Sequence, residues 1–307
     1  MTHQQRLQLA KKSLKGVSIG DAFGESFFGQ RNEILQHIKQ RTIPQTTWEF
    51  TDDTIMSIAV FEQLERNQTI VQDDLILAFA KKHSLDVNRG YGATARRILR
   101  EFENGKDWKE LSKNAFDRMG SMGNGAAMRV HTIGAYFYDD LEKVKIEAQK
   151  SAEVTHANTE AIIGAKAVAI ATAIAINLKI NNQNIEPNDF INLITNELSP
   201  SDTTSKIKKA LTVSPNYHTQ TLIKILGNGT KMTAQDTVPF AIWCAAHNLY
   251  SFENALWKGV SVLGDRDTIC AIVGGIVAQT SENIPQEWLD NVEDFDESVF
   301  RNVIERG

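Results

Sequence analysis

The sequence predicts an all-α protein, and three observations carry that expectation. Apolar residues recur at three- and four-residue spacing along most of the 307-residue chain. No run alternates apolar and polar residues over a strand's length with a tight turn joining it to a second. The six prolines, at 44, 187, 200, 215, 239 and 285, fall mostly at the edges of the helical patterns.

Taken in order, residues 5–23 carry Leu7, Ala10, Leu14, Val17 and Ile19 at helical spacing and end near Gly20-Asp21-Ala22-Phe23-Gly24. Residues 24–50 read as a loop. Thr51-Asp52-Asp53-Thr54 then opens a helix over about 54–66, with Ile55, Ile58, Ala59, Phe61 and Leu64 behind it. Further patterns cover about 71–84, 92–104, 107–117, 125–137 and 140–152. The most apolar stretch, within 158–178, is rich in alanine, contains Lys166 and reads as a central buried helix too short to span a bilayer. The later patterns run over about 188–198, 203–211, 218–226, 233–249, 251–262, 267–280 and 293–305. Loops at 179–187 and 212–220 lack the composition of a linker, so residues 1–307 are expected to form a single domain.

Composition narrows the function. With 42% hydrophobic and 23% charged residues the chain is ordinary for a globular protein and can bury a large core. A net charge of −5 without a basic block argues against a nucleic-acid-binding surface. Cys244 and Cys270, each in an apolar run, read as reduced core thiols. The start, Met1-Thr2-His3-Gln4-Gln5-Arg6, lacks the apolar core of a signal peptide, so a cytoplasmic location is expected.

Two acidic clusters carry the chemistry. Thr51-Asp52-Asp53 sits at a helix start, where a hydroxyl or carboxylate caps free N–H groups. One cap suffices, and two touching aspartates repel unless a divalent cation with oxygen ligands relieves them. Gly264-Asp265-Arg266-Asp267-Thr268 repeats the arrangement before Ile269-Cys270-Ala271-Ile272-Val273. The pair therefore reads as two halves of one metal site. Between them, Gly120-Ser121-Met122-Gly123-Asn124-Gly125 is a glycine-rich loop able to approach a phosphate, although it matches neither the dinucleotide fingerprint nor the P-loop. A tight turn explains that loop equally well. Thr155-His156 precedes the apolar helix, where His156 serves either a ligand or a helix end. In Arg89-Gly90-Tyr91-Gly92 the aromatic ring is available to stack on a base, and Glu25 lies near enough to Asp21 to reach a site.

In this order the segments resemble the ADP-ribosylglycohydrolase family, through Gly20 to Gly24, Thr51 to Thr54, Gly120 to Val130, Thr155-His156 and Gly264 to Gly275. The resemblance implies an all-α fold with two magnesium or manganese ions in a central cleft. It also implies hydrolysis of the bond joining C1″ of ADP-ribose to a protein or small-molecule acceptor. It makes Thr51, Asp52, Asp53, Asp265, Asp267 and Thr268 the metal ligands. Ser121, Gly123, Asn124 and Gly125 become the diphosphate loop and His156 a phosphate or ribose contact. Asp53 is the expected activator of water, with Glu25 as a second catalytic carboxyl and Tyr91 as a substrate contact. The chain departs from the family at Arg266, where a small residue or Thr is usual, and at Phe28, where many members carry a glutamate. Two other readings fit the same residues: a two-metal nucleotide phosphohydrolase, and a module that binds ADP-ribose or an ADP-ribosylating toxin without turnover.

Overall fold

A computed structural model describes residues 1–293, and the helix expected at 293–305 falls, but for its first residue, outside that range. Among the described residues there is no strand. Two isolated bridges, Trp48 to Val292 and Gly123 to Thr233, are the only sheet-like pairings among those residues.

The first helix, His3–Glu25, starts in a capping box in which Thr2 and Gln5 satisfy each other's backbone N–H groups. It carries Gly16, Gly20 and Gly24 one turn apart, and all three face the helix Arg266–Val277. A Cβ at Gly16 would lie 2.4 Å from the Gly274 carbonyl oxygen. One at Gly20 would lie 2.1 Å from that of Cys270, and one at Gly24 2.3 Å from that of Arg266. Backbone therefore lies against backbone, which only glycine permits at these distances.

The central helix, Thr159–Ile180, runs for 22 residues, longer than expected and by length alone enough to cross a bilayer. Burial assigns it differently: 83% of its most apolar window is inside the fold, packed by Ala234–His247, His131–Tyr136 and Leu141–Glu153. One hydrophobic core joins Leu7 to Trp288, and no break appears in the region 180–215.

Four elements differ from the expectation. Arg31–Gln40 is helical within the expected loop 24–50, but buries only Ile34, so its apolar stripe is too short to read. The pattern at 107–117 divides into Trp108–Lys113 and Ala115–Arg118, because Phe116, Asp117 and Arg118 adopt φ of 52°, 54° and 70°. The pattern at 125–137 gives only a 3-10 turn, Asn124–Ala126, and His131–Tyr136. Between them the chain turns Arg129 fully inward, where it donates to the Ser151 carbonyl at 2.7 Å and to Thr155 Oγ1 at 2.9 Å. Last, Gln286–Asn291 brings Trp288 to stack on Phe23 at 4.4 Å, locking the end of the first helix.

Candidate functional site

The two acidic clusters meet. A cavity of about 780 Å³ is lined by Glu25, Asp52, Asp53, Asp265, Asp267 and Thr268, together with Ser121 to Gly125 and His156. A larger groove of about 1000 Å³, between residues 178–189 and 250–253, contains none of the expected residues.

Asp21 builds the first half. Fully buried, it accepts from the Thr51 N–H at 2.9 Å and the Thr54 N–H at 3.0 Å. It also lies 2.9 Å from the Thr51 hydroxyl and accepts from that of Thr54 at 2.6 Å. A carboxylate on the first helix thus caps the helix Asp52–Asn67, releasing Asp52 and Asp53 from that task. Thr51 stands behind the wall, its hydroxyl 3.2 Å from Asp53 Oδ2. The Asp52 N–H donates to the Arg89 carbonyl at 2.6 Å.

The glycine stripe builds the second half. Because Gly24 abuts Arg266 and the Asp267 Cα, the start of Arg266–Val277 is pressed against the end of the first helix. Thr268 Oγ1 then lies 3.3 Å from Asp53 Oδ2, which ties the clusters together directly. Asn124 Nδ2 donates to Asp265 Oδ2 at 2.5 Å and to Thr237 Oγ1 at 2.9 Å, so that amide is spent on holding Asp265. Ser121 Oγ likewise accepts the Gly123 N–H at 3.1 Å within the turn.

Burial and mutual repulsion push the carboxyls up. Asp265 rises to about 8 and Asp21 to about 7, desolvation being the larger cause and Asp267 the next. Asp52 and Asp53 are raised well above the usual range by desolvation and then by the neighbouring aspartates. Glu25, half-buried, reaches about 7 through desolvation and Asp267, opposed by Arg266. Asp53 Oδ1 and Asp267 Oδ1 are buried without a hydrogen-bond partner. Oxygens placed this way, with the hydroxyl of Thr268, match the donor chemistry of a hard divalent cation, whereas Thr51, expected as a ligand, does not line the cavity. Among the described residues no trio of His, Cys, Asp or Glu closes into a cage of its own.

Glycine is required at 123 and 125 because a Cβ would come within 2.8 Å and 3.0 Å of the His156 imidazole. Thr155 Oγ1 accepts from Arg129 and lies 2.7 Å from His156 Nδ1, which leaves Nε2 as the ring nitrogen on the side of the loop. Burial, aided by Arg129, holds the ring neutral by pushing it down to about 3.

The structure corrects a second expectation. Tyr91 is 1% exposed, packed edge-on against His83 at 4.9 Å, and takes no part in the wall. Its loop is pinned rather than free, since Arg89 donates to the Phe50 carbonyl and pairs with Glu293 and Asp86. The apolar residues at the mouth are instead Phe116, Met119 and Met232, at 56%, 58% and 65% exposure. Phe116 had the pattern of a core residue, and nothing in the sequence marks its left-handed backbone. Arg129 was legible in principle, as a lone cation in the run Ala126-Ala127-Met128-Arg129-Val130.

A family profile for ADP-ribosylglycohydrolases matches residues 2–306. The chain belongs to the ADP-ribosylglycohydrolase family. It is 27% identical to the ADP-ribosylhydrolase ARH3 of Mus musculus, covering 93% of this chain and 87% of that one. Human ARH3 gives the same identity, covering 93% and 89%. An uncharacterized protein of Archaeoglobus fulgidus is 28% identical, covering 92% and 91%. A solved ADP-ribosylglycohydrolase-related protein complex shares the fold, with TM-score 0.67 and 18% identity over 97% of this chain and 96% of that one. At family level, this ADP-ribosylglycohydrolase is an enzyme acting on ADP-ribose linkages.

Proposed function

We propose that this chain hydrolyses the C1″ glycosidic bond of ADP-ribose conjugates in a metal-dependent reaction, returning ADP-ribose and a free acceptor. The observation that carries the reading is the convergence of Asp53, Asp265, Asp267 and Thr268 in one cavity that the glycine loop and His156 also line. Mg²⁺, or Mn²⁺, at the acidic wall would supply Lewis acidity toward ribose and water oxygens. Asp52, Asp53, Asp265 and Asp267, with Thr268, are the groups that would hold two such ions, while Thr51, expected as a ligand, supports Asp53 from behind the wall.

The chain's own residues perform the remaining work. The loop from Ser121 to Gly125 offers backbone to the diphosphate, and the neutral His156 offers its Nε2 to the same anion or to a ribose hydroxyl. Phe116, exposed at the mouth beside Met119, gives the adenine an apolar face. As the bond at C1″ breaks, the sugar carbon becomes cation-like, and the surrounding carboxylates stabilise it. Asp53 takes a proton from the attacking water, while Glu25, near half-protonated at neutral pH, returns one to the departing acceptor atom.

The test is a panel of Arg-, Ser-, Asp/Glu- and nucleic-acid-linked ADP-ribose substrates, each with Mg²⁺ or with chelator. Release of intact ADP-ribose that chelator abolishes is the expected result. Release of AMP from free ADP-ribose would identify a phosphohydrolase instead. Tight binding of ADP-ribose without turnover in excess Mg²⁺ would identify a binding module.

A further inference from the structure

Phe28, on the cavity wall, is in contact with Arg266, which stands between two of the aspartates of the acidic wall. The Arg266 guanidinium carbon stands 4.0 Å from the ring centroid of Phe28, a stacked cation–π pair. Phe28 is 46% exposed and lines the cavity together with Glu25, to whose turn it is hydrogen-bonded. Its ring is placed by rigid neighbours. The Phe28 N–H donates to the Glu25 carbonyl at 3.0 Å, and Phe27 is wedged against Phe23 and Trp257 at 4.8 and 5.5 Å. Arg266 is fixed at its backbone by Gly24, its Nε is buried without a partner, and among the described residues no ion pair joins it to Glu25, Asp265 or Asp267.

We infer that the Phe28–Arg266 stack selects the acceptor, rejecting a cationic leaving group and accepting a neutral one. The inference rests on the cavity being the place of C1″ cleavage. With the diphosphate at the glycine loop and C1″ at the carboxylates, the acceptor departs toward Glu25 and Phe28. A bare Phe28 ring beside Glu25 would attract a guanidinium, because the ring face is electron-rich and the carboxylate is negative. Arg266 reverses that preference. Its cation already occupies one face of the ring, so a second cation on the other face is repelled. A neutral serine hydroxyl meets no such cost.

The experiment compares wild type, Arg266→Met and Arg266→Lys on peptides of matched sequence carrying ADP-ribosyl-arginine or ADP-ribosyl-serine. Two ratios are read: kcat/KM with Mg²⁺, and Kd in chelator, both at low and high salt. Arg266→Met is expected to shift both ratios about tenfold toward the arginine conjugate, the worth of one such contact at about 1.4 kcal/mol. Arg266→Lys should stay near wild type, and on a Phe28→Leu background the gain should fall by more than half. The wild-type ratio should also move toward unity in high salt, which a purely structural role would not produce. Unchanged ratios in Arg266→Met, or the same shift in Arg266→Lys, would overturn the inference. Failure of wild type to cleave either conjugate would overturn the glycohydrolase reading, while the Kd ratio would still decide this one.

Discussion

Gly20→Ala tests how the fold assembles the acidic wall. The added Cβ would stand 2.1 Å from the Cys270 carbonyl oxygen, and ordinary contact begins at about 3.4 Å. The first helix and Arg266–Val277 must then part by about 1.3 Å at this point, or strain locally. Overpacking of this kind costs about 1–3 kcal/mol. At roughly 2–4 °C per kcal/mol for a large domain, the midpoint of thermal unfolding should fall by about 2–12 °C. Cys270 lies on the same helix as Asp267 and Thr268, so the 3.3 Å contact from Thr268 to Asp53 opens as the helices part. A displacement near 1 Å at reacting groups costs about 100-fold in rate. The assay is ADP-ribose release together with differential scanning calorimetry. Gly105→Ala serves as the comparator: its φ of 85° penalises alanine, but nothing stands within 4 Å of the added Cβ. That variant should lose stability and keep its turnover. If Gly20→Ala unfolded within 1 °C of wild type with unchanged turnover, the backbone contact would not be what sets the carboxylates in place.

Three further expectations follow from the same geometry. Asp53→Asn should lower turnover by about 10²–10⁴-fold, the range for a lost general base. Its thermal midpoint should hold or rise, since a buried, repelled carboxylate disappears; a drop of 5 °C with activity intact would reverse the assignment. In chelator, stability should decline as pH rises. Asp21 at about 7 and Asp265 at about 8 lie above the unfolded value near 3.8. Their contribution is complete below that value and is lost as pH climbs through 7–8. A midpoint that stays flat or rises from pH 5 to 8.5 in chelator would contradict this, and Mg²⁺ should recover more of the loss at higher pH. Finally, Phe116→Ala should raise KM about tenfold at unchanged kcat, the cost of one lost base-stacking contact. An unaltered KM would remove Phe116 from the adenine contact.

Much of the architecture was legible because helical spacing is a local property. Leu7 to Ile19 and Ile55 to Leu64 declare their helices from neighbours a few positions away, and both acidic clusters announce helix starts. Contacts between distant elements were less accessible. That Asp21 on the first helix caps another helix, and so frees Asp52 and Asp53, depends on packing. The glycines at 16, 20 and 24 lie in plain view, yet their partner is a helix about 250 residues away. Asn124 reads as a diphosphate donor until its amide is seen on Asp265. Tyr91 is buried and Phe116 exposed for the same reason. Exposure is decided by tertiary packing and by a left-handed backbone at 116–118, neither of which leaves a periodic trace.

The most direct measurement is a Mn²⁺ titration followed by electron paramagnetic resonance, on wild type, Asp53→Asn and Asp267→Asn. Saturable binding that Mg²⁺ displaces is expected in wild type. Either substitution alone should weaken it by at least about tenfold, because both helix starts contribute oxygens to one site. Wild-type affinity in both variants, or a loss in only one of them, would contradict a shared cation site.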